Sequence, residues 1–140
     1  MKTPEPDSNP FRFRWMVTLG SWFTGISLVL LAIQCLVYDG AAEGYGVAPI
    51  DENGKAYLLA TGMRDLALGV MTLFLLIKFR PCLPIYFLIM TIIPLADTLI
   101  VMNYGNSMAS TTLHVIGIVG LLALSLFSYF ENQPGPGSHG

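Results

Sequence analysis

Residues 57–77 read YLLATGMRDLALGVMTLFLLI, an apolar stretch that carries one arginine and one aspartate side by side, Arg64 and Asp65. About 20 helical residues at 1.5 Å each cross the ~30 Å hydrocarbon core of a bilayer, so this stretch is predicted to be a transmembrane helix. Three further stretches qualify on the same ground, 15–38, 82–102 and 108–130, each bounded by polar, Gly or Pro residues. The composition agrees: 54% of the chain is apolar and 11% charged, against roughly a quarter charged in soluble proteins. The predicted fold class is therefore all-α, an integral membrane four-helix bundle over 15–130. The tails, 1–14 and 131–140, are rich in Pro, Gly and Ser and are expected to be disordered. Tight links at 78–81 and 103–107 make the second, third and fourth helices antiparallel neighbours.

Charge sets an orientation. Lys2, Arg12, Arg14, Lys78 and Arg80 fall on one face of the predicted membrane, while Lys55 stands on the other among Asp39, Glu43, Asp51 and Glu52. Cytoplasmic flanks are enriched in Lys and Arg, so both termini are expected in the cytosol. The first span follows two arginines, as a signal peptide would, but it is too long and lacks an A-x-A site, which makes it a retained anchor. A net charge of −2 without a dense basic cluster sets nucleic acid aside. Cys35 and Cys82 lie near opposite membrane faces, so neither a CxxC pair nor a zinc site can be drawn.

Ionisable residues inside a span cost several kcal/mol unless paired or hydrated, so their positions carry information. Arg64 and Asp65 lie roughly 10 to 12 Å below the outer end of the second span. Asp97 stands near the outer end of the antiparallel third span, His114 near the outer start of the fourth, and Gln34 just before Tyr38 in the first. Every span thus brings a polar group to one layer, and a buried polar pocket open toward the outer loop is expected. Pro94, one turn before Asp97, removes a backbone hydrogen bond and is expected to kink the third helix beside it. Gly62 and Gly69, on one face of the second helix, and Gly117 and Gly120 on the fourth read as helix packing positions. The loop 39–56 is either a lid over the pocket or a solvated linker.

Neighbouring residues on a helix point about 100° apart, so Arg64 and Asp65 are expected to reach different neighbours rather than each other. An arginine bridging two carboxyls can keep one ionised as a base while the more desolvated one stays protonated as an acid. That equips a site for acid-base attack of water or an internal hydroxyl on a strained ether, with His114 orienting or relaying the proton. Arg64, Asp65, Asp97 and His114 are therefore the candidate catalytic residues. Gln34, Tyr57, Thr61, Asn103 and Tyr104, at or above the same depth, are the candidate substrate-binding residues. There is no G-x-S-x-G elbow and no phosphate-cradling glycine loop. Asp65, Asp97 and His114 could be drawn as a metal set, but Arg64 in the same layer opposes a divalent ion. No metal or cofactor is expected.

The run Gly62-Met63-Arg64-Asp65-Leu66-Ala67-Leu68-Gly69, followed by Asp97 and His114 in the next two spans, resembles a family of small four-helix membrane proteins common in fungi and also found in bacteria. Within it, the chain looks like the membrane epoxide hydrolases of fungal polyene-pyrone polyketide pathways, of the aurovertin and citreoviridin type. That resemblance covers roughly residues 15–130. It implies an enzyme that opens epoxides, or closes them to cyclic ethers, on a hydrophobic polyketide delivered from the bilayer. The endoplasmic reticulum fits a eukaryotic host, and a homo-oligomer is left open. Two other readings use the same residues. A proton-coupled carrier or binding protein for small molecules needs access from both faces, against which the apolar inner half and the lack of inverted repeats count. A structural subunit would pair the four residues completely and leave no cavity.

Overall fold

The computed structural model describes residues 10–37, 52–104 and 108–133. Their regular structure is helical: α1 Pro10–Val37, α2 Glu52–Lys78, α3 Leu83–Met90, α4 Ile92–Tyr104 and α5 Met108–Glu131, with a 3-10 turn Arg80–Cys82 ahead of α3. The turn, α3 and α4 together form one span, so four helical stretches are long and apolar enough to cross a membrane. Their outward side chains are large and apolar, among them Phe23, Phe74, Ile85 and Ile116. Such a surface suits hydrocarbon rather than water.

The helices are longer than the apolar runs. α1 begins at Pro10 instead of Trp15, with proline at the first helical position, where its missing N–H costs nothing. α2 begins at Glu52 instead of Tyr57, and α5 takes in Glu131. Hydrogen bonding within a helix does not stop where apolarity does. Tyr38, most of the loop considered as a lid and the outer parts of both tails lie outside the described residues.

Small residues bring α1 and α2 into close contact, the most extensive helix pairing in the bundle. A Cβ on Gly69 would lie 2.8 Å from the Gly25 carbonyl oxygen, and one on Gly62 would lie 2.7 Å from Cys35 Cβ. The spacing of seven expected to face a neighbour does so. α3 docks on α2 through Tyr86, whose hydroxyl donates to the Leu68 carbonyl at 2.7 Å. α5 is tied to α3 by Ser125 Oγ donating to the Pro84 carbonyl at 2.7 Å.

Arg80 fastens the end of the bundle where Arg14 and Lys78 also lie, called the basic end below. Its guanidinium meets Glu131 at 2.9 Å, donates to Thr18 Oγ1 at 3.1 Å and reaches the Arg14 carbonyl at 3.3 Å. One side chain thus joins the start of α1, the turn before α3 and the last turn of α5. α1 begins and α5 ends here. Above the clasp, Val17, Leu76, Leu83, Phe87, Met90 and Leu121 form a solid apolar core.

Helicity lapses at Thr91, between α3 and α4, three residues before Pro94. Pro94 has no N–H for the Met90 carbonyl, and its ring crowds the preceding turn. Thr91 Oγ1 instead donates to the Leu88 carbonyl at 2.6 Å. The backbone at Thr91 stays in the helical region, φ −62° and ψ −20°, and Thr91 still bonds back to Phe87 and on to Leu95, so the interruption is confined to one turn.

Candidate functional site

Arg64 projects from α2 toward α4 and grips Asp97 end-on, Nη1 to Oδ1 at 3.2 Å and Nη2 to Oδ2 at 3.1 Å. Its remaining donor edge folds back onto its own helix, Nε to Asp65 Oδ1 at 3.0 Å. The expectation that neighbours on a helix would not pair is corrected here. Their Cβ atoms do diverge, but the arginine stem is long enough to lay the guanidinium across Asp65 while its far edge faces Asp97. The planar fork makes this geometry available to arginine and not to lysine. One guanidinium therefore bridges two carboxyls.

The setting of the three groups is unequal. The Asp65 side chain is 4% exposed, Asp97 14% and Arg64 32%. Arg64 spans a gap, since α2 and α4 have little backbone contact of their own. Beneath the bridge lies a cavity of about 470 Å³, within the roughly 300–1,000 Å³ usual for small-molecule sites. Arg64, Asp65, Asp97 and His114 all line it. His114 belongs to the wall rather than to the bridge, its Nε2 lying 3.5 Å from Ser110 Oγ one turn earlier on α5. A bundle without a cavity, expected of a purely structural subunit, is not what these residues make.

The first span departs from the expected convergence. Gln34 has the right height but the wrong bearing: it is exposed on α1 and does not line the cavity. In its place α1 contributes Thr24 and Ser27, with Phe23, Leu28 and Leu31. Depth counting gives a residue's height and says nothing of the face it occupies. The signal that could have found them is the stripe Gly20, Thr24 and Ser27, small or polar residues recurring at helical spacing. Of the other candidate binding residues, Thr61 is buried, while Tyr57 and Tyr104 are exposed; none of them lines the cavity. Asn103, also exposed and outside the lining, donates back to the Leu99 carbonyl at 2.7 Å.

The cavity also differs in shape from the expected outer pocket. Exposed members of its lining, Phe23 and Leu31 on α1 and Leu113, Ile116 and Gly120 on α5, mark its open side as the seam between those two helices. That seam faces the bilayer. Gly117 and Gly120, read as packing positions, are wall positions: a Cβ on Gly117 would approach Pro94 at 3.9 Å, and one on Gly120 would meet nothing within 4 Å.

Fold and site together define an integral membrane four-helix bundle with a guanidinium–dicarboxyl cluster at one end of an apolar cavity. Residues 25–128 match the family described as Domain of unknown function (DUF4267), and the chain belongs to that family. The matched stretch holds Arg64, Asp65, Asp97 and His114. No curated protein and no solved structure matches the chain.

Proposed function

We propose that this protein is an intramembrane epoxide hydrolase or cyclase, acting on epoxides of a hydrophobic, polyketide-like molecule. The observation that carries the reading is the bridging of Asp65 and Asp97 by one guanidinium at the polar end of an otherwise apolar cavity. One guanidinium and two carboxyls are electrically neutral when a single proton resides on the pair. That form holds an ionised base and a protonated acid a few ångströms apart, the equipment that general acid-base catalysis requires. The resemblance of the Gly62–Gly69 run to membrane epoxide hydrolases points the same way.

The oxygen of water, or of an internal hydroxyl, bonds to an epoxide carbon and gives its proton to the ionised carboxyl. The epoxide C–O bond breaks, and its oxygen takes the proton of the other carboxyl. The product is a diol, or a cyclic ether bearing a new hydroxyl. A proton has moved from one carboxyl to the other, and its return through water or His114 resets the site. Arg64 holds both carboxyls in place throughout. The seam between α1 and α5 gives a membrane-dissolved substrate access from the side. A carrier would need the cavity to continue to the basic end, where Val17, Leu76 and Leu83 form a closed core.

The test uses purified protein in lipid nanodiscs and a hydrophobic epoxide, with diol or cyclic ether followed by mass spectrometry. Asp65→Asn and Asp97→Asn are each expected to lower turnover by about a hundredfold or more while the protein remains folded. Full epoxide opening by both variants would sink the assignment. Uptake of substrate into proteoliposomes driven by a pH gradient would replace it with the carrier.

A further inference from the structure

The cavity is longer than the ion cluster requires. Its lining runs from residue 31 down to 20 on α1 and from 113 down the helix to 124 on α5, in each case about 16 Å of helix at 1.5 Å per residue. Arg64, Asp65, Asp97 and His114 stand at one end. The floor at the other end is made by Gly20 and Leu124, so close that a Cβ on Gly20 would collide with the Leu124 side chain. Between them, the polar side chains of the lining are those of Thr24 and Ser27. A charged group in that stretch would be buried unpaired, at a cost no ordinary ligand contact offsets.

Glycines in membrane helices ordinarily let a neighbouring helix approach, and Gly25, Gly62 and Gly69 do so here. Gly120 does not. A Cβ there would meet nothing within 4 Å, and the residue lies one helical turn above the Leu124 floor. Gly120 is exposed at the cavity's open side, and its missing side chain leaves open space there.

We propose that Gly120 is a specificity-determining residue. The site takes a molecule whose reactive end lies at Arg64 and whose slender apolar tail runs past residue 120 to the Gly20 and Leu124 floor. The absent side chain sets how long that tail can be. This inference rests on the site proposed above and is independent of the chemistry assigned to it.

The experiment compares the native protein with Gly120→Ala and Gly120→Leu in nanodiscs, using two probe series of growing tail. The first is epoxyoctane, epoxydodecane and epoxyhexadecane, read by turnover. The second is alkanols of matching length with a diazirine at the tail end, read by mapping the photolabelled peptide. Gly120→Leu is expected to shift the preference from long toward short tails by on the order of tenfold, with a smaller shift for Gly120→Ala. The longest diazirine should label the Gly20 or Leu124 peptide in the native protein and lose that label in Gly120→Leu. If no epoxide is opened but the label and its loss are seen, the tail-length inference stands and the proposed chemistry falls. An unchanged length profile in both series, with Gly120→Leu melting like the native protein, overturns the inference. Should Gly120→Leu not fold, Gly120→Ala decides in its place, and no shift there is equally fatal.

Discussion

Arg64 is the residue on which the site depends, because it is the cation that faces both Asp65 and Asp97. Replacing it with Lys keeps the charge and loses the fork, so one carboxyl is released. Arg64→Lys is expected to fold and to lose most of its epoxide-opening activity. Arg64→Met leaves two carboxyls without a counter-charge. Breaking a fully buried pair costs about 3–5 kcal/mol, and with a third of the Arg64 side chain exposed the expected loss is nearer about 2 kcal/mol. Unfolding in a denaturing detergent, with Arg64→Met/Asp65→Leu/Asp97→Leu as the repairing triple variant, measures it. A triple variant no more stable than the single would remove the bridge as a structural element. At this scale the sequence was informative on Arg64, Asp65 and Asp97, because charge inside an apolar run needs a partner and so predicts its own neighbours. It spoke less directly for Thr24 and Ser27, since hydroxyls in membrane helices can satisfy themselves on the preceding turn, as Thr18 does on the Arg14 carbonyl at 2.7 Å.

Among the elements, α1 and α2 behave as one unit and α3, α4 and α5 pack around the remaining side. The contact at Gly69 is backbone against backbone, with little room to yield. Gly69→Ala is expected to cost about 1–3 kcal/mol, as overpacking does, and to move Arg64 relative to Asp97, lowering activity as well as stability. Gly120→Ala, with open space before it, should leave the melting temperature unchanged. Equal effects of the two substitutions on thermal unfolding would contradict the assignment of one glycine to a contact and the other to a void. These two roles were indistinguishable in sequence, where a glycine in an apolar helix reads the same whether a neighbour fills its place or nothing does. The interruption at Thr91 was legible, because the missing N–H of Pro94 acts locally and needs no knowledge of the partner helix.

For the molecule as a whole, the four spans were readable from the apolar runs, since burial of every backbone polar group in lipid leaves few alternatives to a helix. The clasp of Arg80 on Glu131 was not. Glu131 stands at the edge of a Pro- and Gly-rich tail, and its pairing depends on where α5 ends relative to the turn before α3. From the distribution of Lys and Arg the basic end is expected in the cytosol. Glycosylation acceptor sites inserted into the loop 39–51 should be modified in microsomes, and sites added at either terminus should not. The reverse pattern would invert the molecule and put the Arg64 bridge nearer the cytosolic face.

The bridge across the gap between α2 and α4 also bears on descent. Its members cannot drift independently, because loss of the arginine leaves two carboxyls together where the bilayer gives them no relief, whereas an arginine with one remaining aspartate is still neutral. Lineages of this family that have lost the arginine should therefore have exchanged both aspartates for apolar residues with it. Those that exchanged them would be proteins that inherited the scaffold and gave up its chemistry.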